Sequence, residues 1–344
     1  MRVFLTGNEG YLGAVLQEEL TAEGHEVTGG DSGLFTPHCE RQVWDVRDVT
    51  AEELRGYDAV VHLAGLSNDA AGELSADATV DINESSSIRL ARLARTAGVE
   101  RLVFASSCSV YGASAEPNLT EDCVPQPLTT YARSKLAAER AIMATGTDAF
   151  HPVALRFATL FGSSPAFRND LLVNRMVSTA WRYGQISVTG DGGAVRPLLH
   201  VRDAASAVAR TLAASVVDVH GTVFNVGVPG ANYSIRAVAE LVQARFPGAR
   251  IVFAGSPDRR SYAVCFDRFT GRITTWRPRR TVTDGIAEVA DALDRSAPFP
   301  RLGSQWGRGE RSSWLSLLRQ EDVLTGSFRW NRLAAVDHIP PYAA

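Results

Sequence analysis

Val3-Phe4-Leu5-Thr6-Gly7-Asn8-Glu9-Gly10-Tyr11-Leu12-Gly13 joins a short apolar, strand-like run to a glycine turn and then directly to a helical pattern reaching Glu23. The spacing Gly7-x-x-Gly10-x-x-Gly13 lets the backbone turn tightly, approach a diphosphate closely and aim helix N-terminal amides at it. A glycine triplet alone also suits an ordinary tight turn. Its place after the first strand and before a helix favours a dinucleotide site that includes Tyr11 and Leu12. A second strand, Glu26 to Thr28, runs into Gly29-Gly30-Asp31. A carboxylate there accepts hydrogen bonds from the adenosine ribose hydroxyls and repels a 2′-phosphate, which selects NAD over NADP. Its neighbours Gly29, Gly30, Ser32 and Gly33 carry no positive charge.

Working outward, further strands are expected at Ala59 to Leu63, Leu102 to Ala105 and Val153 to Phe157, with helices at Asp81 to Thr96 and Tyr131 to Met143. Strand and helix in alternation give an α/β fold, a doubly wound parallel sheet covered on both faces. Asp45 and Val46 follow another short strand and are placed to bracket the adenine. Ala64 and Gly65 are small enough to let the backbone pass close to the cofactor. Past residue 165 the alternation loosens, with helices near Asp170 to Arg182, Ala204 to Ala214 and Ile235 to Arg245. The expected division is a cofactor-binding unit at 1–165 with segments returning from the second half, a smaller C-terminal α/β substrate lobe at 166–295, and an extension at 296–344.

The totals narrow the function classes. A formal charge of −3 without a dense basic run gives no nucleic-acid footprint. No span of 18 apolar residues occurs, so no membrane segment is expected, and Met1 to Thr6 lack a signal-peptide pattern. The four cysteines, Cys39, Cys108, Cys123 and Cys265, have no metal-ligand spacing and read as reduced thiols of a cytoplasmic protein. No metal is expected.

Among 35 lysine and arginine residues, Lys135 is the only lysine. Surface charge tolerates either residue, whereas a site that needs a compact ammonium on a flexible stem does not. Lys135 lies in Tyr131-Ala132-Arg133-Ser134-Lys135, where helical spacing puts it one turn from Tyr131 on the same face. An ammonium beside a phenol favours the phenolate, so Tyr131 is expected to have a lowered pKa and to act as a general base. The strand Leu102 to Ala105 ends in Ser106-Ser107-Cys108-Ser109-Val110-Tyr111-Gly112, at the sheet edge where open parallel sheets bind ligands. Ser107 is placed to bond a reacting oxygen and share its proton with Tyr131, although serines also favour loop starts for local backbone bonding.

Together these motifs resemble the extended short-chain dehydrogenase/reductase family, the nucleotide-sugar epimerases and dehydratases, over residues 1 to 294. Further matches are Arg156 with Phe161-Gly162, and Arg196-x-x-x-His200-Val201-x-Asp203. The resemblance implies a Rossmann domain with tightly held NAD, a lobe gripping a nucleotide-diphosphate sugar, and a homodimer. It implies Ser107, Tyr131 and Lys135 as the catalytic trio, with Lys135 also on the nicotinamide ribose. Asn174 resembles the residue that approaches the substrate diphosphate. Arg196 and one of Arg259 or Arg260 are the bidentate diphosphate candidates. Ser67, Asn68 and Asp69 are expected near the sugar, with Ser109. The chain departs from the family pattern at Thr159 and Pro197, where asparagine and aspartate are usual.

In the family, 4,6-dehydratases carry an Asp-Glu pair where this chain has Cys108 and Ser109, and decarboxylases tend to carry glutamate at the second position. Asp31 disfavours a ketoreductase consuming NADPH. The reaction left without an additional acid or base is 4-epimerisation through a 4-keto sugar. Two other readings are proton exchange through Cys108, if its pKa is lowered, and a non-catalytic NAD-binding sensor. The extension carries Trp306, Trp314 and Trp330 with several arginines, and Trp314, Leu317, Leu318 and Leu324 share a helix face. It is expected to pack on the lobe, or else to close over the sugar site or extend a subunit interface.

Overall fold

The computed structural model describes residues 1–35, 43–114, 116–256, 260–296 and 310–331. The strands are β1 (Arg2–Thr6), β2 (Glu26–Gly30), β3 (Ala59–His62), β4 (Arg101–Ser107), β5 (His151–Phe157), β6 (Thr159–Phe161), β7 (Gln185–Thr189), β8 (Val195–His200), β9 (Thr222–Val226), β10 (Asn232–Ser234) and β11 (Arg250–Ala254). The helices are α1 (Tyr11–Ala22), α2 (Asp69–Gly72), α3 (Ala76–Val80), α4 (Ser86–Thr96), α5 (Thr130–Met143), α6 (Leu172–Tyr183), α7 (Val201–Ala213), α8 (Val216–Val219), α9 (Ile235–Arg245), α10 (Asp267–Arg272), α11 (Val282–Ser296) and α12 (Arg311–Gln320).

Six parallel strands make the main sheet in the order β2-β1-β3-β4-β5-β9. Helices cover both faces, so the central strands are buried throughout, as β3 and β5 show. One face packs Leu16 and Leu20 of α1 with Ala204 and Val208 of α7. The other packs Leu90 of α4 and Ile142 of α5 on Val60 and Phe104. The expected α/β Rossmann architecture is therefore present. The last strand, β9, returns from the second half to pair with β5, Leu155 opposite Phe224. The strand order reverses beside β1, which opens a crevice past the carboxyl ends of β1 and β3.

The smaller sheets are β10-β8-β6 and β11-β7. They share a second core with α6, α9 and α11, built from Val177, Ile186, Val238 and Val289. The helix expected over Asp81 to Thr96 is α only from Ser86, because Asp81–Ser85 is wound as a π-turn. That bulge places Asn83 so that its side chain accepts from the Leu66 amide at 2.8 Å and donates to the Leu66 carbonyl at 3.0 Å. It thereby holds the loop that leaves β3.

The extension sits differently from the expectation. Trp314, Leu315, Leu318, Val323, Leu324 and Phe328 pack with Leu34, Leu66, Ala71, Ala78 and Ile82, on the sheet half rather than on the lobe. The apolar surface that α12 covers belongs to the loop after β2 and to α2 and α3. Leu317 lies at the margin of this cluster. Trp306, Arg301, Arg308, Arg332, Cys39 and Arg259 lie outside the described residues. Among the described residues no helix is long and apolar enough to cross a membrane, and no group of three or more metal-ligating side chains occurs.

Candidate active site

A cavity of about 550 Å³ runs along the carboxyl ends of the central strands. At one end it is lined by Gly7, Gly10, Tyr11, Leu12, Gly13, Asp31, Asp45 and Val46, and it continues past Ala64, Gly65, Ser67 and Asn68. Ser107, Ser109, Tyr131 and Lys135 stand in its middle, and Arg196, Arg260 and Tyr262 at the lobe end. The residues expected at the cofactor and the sugar line this one cavity, whereas Asn174 and Cys108 do not, and Arg259 is undescribed.

The glycine turn fits a dinucleotide. Gly7 has φ +74°, and a Cβ on it would lie 2.8 Å from the Ala64 amide nitrogen. A Cβ on Gly13 would fall 1.9 Å from the Gly7 carbonyl oxygen, which only glycine allows. Gly10 precedes α1 and supplies no side-chain cap, and the first turn carries no acid, so the leading amides and dipole are left for an anion. Asp31 accepts from the Gly33 amide at 2.9 Å and the Glu9 amide at 3.2 Å, and burial raises its pKa above the usual carboxylate range. Asp45 is held by Arg47, with Nη2 at 2.6 Å.

Helix α5 is capped by Thr129, whose hydroxyl accepts from the Ala132 amide and donates to Asp69 at 2.5 Å. This fixes the first turn, which carries Tyr131. The Ser107 side chain accepts from the Ser109 amide at 3.2 Å, and it lies close enough to Tyr131 to favour ionisation of the phenol. The expected lowering of Tyr131 by Lys135 is not found. Burial pushes the phenol up to about 12, opposed by Ser107 and Arg168, and Lys135 has turned elsewhere. Its Nζ donates to the Ala105 carbonyl at 3.0 Å and lies 4.9 Å from the centre of the Phe104 ring. Burial lowers the ammonium to about 8. A Cβ on Gly65 would sit 2.8 Å from Asn83 Oδ1, so the glycine leaves room for the asparagine that holds the loop after β3.

Behind the site, Glu139 and Arg156 form a buried ion pair at 2.6 Å, with Ser106 donating to Glu139 at 2.5 Å and Arg156 donating to the Tyr111 hydroxyl at 2.9 Å. Cys108 points into this core. It is 1% exposed, its Sγ donates to the Arg156 carbonyl at 3.2 Å, and burial raises the thiol far above its ordinary value. A thiol so placed does not exchange protons in the cavity. Ser109 does face the cavity, and its shielded Oγ has no partner among the described residues. Such an unpaired buried hydroxyl fits a polar ligand.

Asn174 lies behind the wall rather than in it. Its side chain accepts from the Gly162 amide at 3.0 Å and donates to the Arg168 carbonyl at 3.0 Å and the Tyr11 hydroxyl at 3.3 Å. It positions Arg168 and Tyr11. At the lobe end Arg196 lies 5.2 Å from the centre of the Tyr262 ring, and Arg260 pairs with Asp69. Asn68 caps α2 and donates to Asp170. Arg168 is a buried site residue that no sequence motif marks. It pairs with Asp170 at 2.7 Å and donates to Ser67 Oγ at 3.2 Å.

A glycine-turn crevice thus joins a cluster of Ser107, Tyr131 and Lys135 on a Rossmann fold. The chain belongs to the NAD dependent epimerase/dehydratase family, matching its pattern over residues 3–227. It is 29% identical over 265 residues to a UDP-glucose 4-epimerase of Corynebacterium glutamicum, covering 70% of this chain and 79% of the relative. It is 27% identical over 329 residues to a UDP-glucose 4-epimerase of Streptomyces lividans, covering 87% and 97%. The solved structure of MoeE5 in complex with UDP-glucuronic acid and NAD superposes with a TM-score of 0.76 at 27% identity, covering 86% of this chain and 100% of that one.

Proposed function

We propose that the chain is an NAD-dependent nucleotide-sugar 4-epimerase that passes through a transient 4-keto sugar. The observation that carries this reading is the absence of a second acid–base pair beside Ser107 and Tyr131 among the described residues. Cys108 is buried and bonded away from the cavity, Ser109 is neutral, and the nearby Asp69 and Asp170 are engaged by Arg260 and Arg168. Dehydration and decarboxylation therefore lack their extra groups, whereas 4-epimerisation needs none.

When bound, NAD supplies the hydride acceptor and donor and a positively charged ring. The residues that would hold it are Gly7, Gly10 and Gly13 at the diphosphate, Asp31 at the adenosine ribose, Asp45 and Val46 at the adenine, and Lys135 at the nicotinamide ribose. Tyr131 takes the proton of the C4 hydroxyl and returns it to the 4-keto oxygen. Because the Ser109 amide occupies an acceptor position of Ser107 Oγ, the Ser107 hydroxyl is left to donate toward Tyr131 and stabilise the phenolate. Burial holds Tyr131 protonated until further positive charge enters the cavity, so deprotonation is coupled to loading of the site. Arg196 and Arg260 would meet the substrate diphosphate, and Ser67, Asn68 and Ser109 the sugar. The reading includes a homodimer in a cytoplasmic setting.

The test is mass spectrometry of a panel of nucleotide sugars incubated with the protein in deuterated water. Isomerisation without mass change is the expected result. Loss of water would instead indicate a dehydratase, and deuterium at carbon a route through enolisation.

A further inference from the structure

Arg311, the first residue of α12, is 5% exposed and lines the same cavity as Gly7, Gly10 and Asp31, although it lies far beyond the segment matched to the family. Its guanidinium lies 4.1 Å from the centre of the Phe35 ring, and Nη1 donates to Ser67 Oγ at 2.7 Å. Of its five N–H donors this is the one used among the described residues, and no carboxylate there comes within ion-pair distance. Asp31 and Asp170 reach it only through space, while Arg168 repels it. Burial and that repulsion pull the guanidinium down to about 9, and no acid among the described residues is close enough to compensate it directly. Arg311 thus stands between the ribose acid Asp31 and the Ser67 loop, which leads to Tyr131. A dinucleotide diphosphate must cross that interval.

The rest of the extension is fastened to the two loops assigned to adenosine. Trp314 Nε1 donates to the Leu34 carbonyl and Trp330 Nε1 to the Ser32 carbonyl, each at 2.7 Å, next to Asp31. Arg47 donates to the Ser327 carbonyl at 2.7 Å, and Arg329 pairs with Asp48 at 2.6 Å. Phe328 closes the cavity wall at this end.

We propose that the C-terminal segment 310–331 completes the dinucleotide site, with Arg311 as a ligand of the cofactor diphosphate on the wall opposite the glycine turn. This rests on the reading of the Gly7 to Gly13 turn as a dinucleotide site, and the test separates the two. Binding of ADP-ribose and of adenosine is measured by calorimetry on cofactor-stripped wild-type, Arg311→Gln, Arg311→Lys and Gly13→Ala proteins. Arg311→Gln is expected to weaken ADP-ribose about tenfold to hundredfold, the effect of removing a charge-assisted bond. Adenosine binding should be unchanged, and Arg311→Lys should fall in between. NAD retained through dialysis should follow the same order. Wild-type ADP-ribose affinity in both Arg311 variants, with Gly13→Ala impaired, would overturn the proposal alone. Equal weakening of ADP-ribose and adenosine would also overturn it, because Arg311 would then only brace the loop. Unimpaired ADP-ribose binding by Gly13→Ala would instead overturn the reading of the glycine turn.

Discussion

Lys135→Met should make the cofactor-free protein more stable at neutral pH while removing its activity. The lysine is buried and its pKa falls from 10.5 to about 8, caused by burial. At 1.36 kcal/mol per pH unit, holding that ammonium in the folded state costs about 3 kcal/mol at pH 7. Methionine has a similar length and no charge to desolvate. The variant loses the bond to the Ala105 carbonyl and the contact with Phe104, worth about 1–2 kcal/mol together. A net gain of about 1–2 kcal/mol is expected. The sign with pH follows from the folded pKa lying below the unfolded one. The unfolded chain binds the extra proton between about pH 8 and 10.5, so wild-type stability rises through that window relative to the variant. Urea denaturation of both proteins at pH 7 and pH 10 measures the difference. A variant less stable than wild type at pH 7, or a difference that does not change between the two pH values, would refute the reasoning.

Tyr131→Phe should lower kcat by about 10²–10⁴ while NAD stays bound, measured by turnover and by cofactor content after dialysis. Cys108→Ser should keep turnover within about twofold, since the hydroxyl can replace the thiol's bond to the Arg156 carbonyl. A large loss there would restore Cys108 as a proton-transfer group. Glu139→Gln should destabilise the fold by about 3–5 kcal/mol in chemical denaturation, because it leaves Arg156 buried without its counter-charge. A loss under about 1 kcal/mol would mean that Arg156 finds another partner.

Elements set by local rules were legible in the sequence. Period and glycine punctuation identified β1, α1, β2 and α5, and α9 falls on the expected bounds Ile235–Arg245. The Ser107, Tyr131 and Lys135 positions were legible because helix and strand geometry fix their neighbours. Their electrostatics were not, because Lys135 has a four-carbon stem that reaches Ala105, and burial dominates Tyr131. Arg168 and Arg311 were invisible for a related reason. They are brought to the cavity by packing between distant segments, and the 34 arginines that accompany one lysine give no local signal. The place of the extension depended on an apolar surface formed jointly by Leu34, Leu66, Ala78 and Ile82, which no single stretch displays.

In the proposed 4-epimerisation a hydride leaves C4 of a nucleotide sugar and returns to the same carbon on the opposite face. It is tested most directly with substrate carrying deuterium at C4, followed to equilibrium in ordinary water by mass spectrometry and NMR. The expected product is a C4 epimer that keeps the deuterium at C4. An epimer that loses the label to water, or a product in which C4 keeps its configuration, would contradict it.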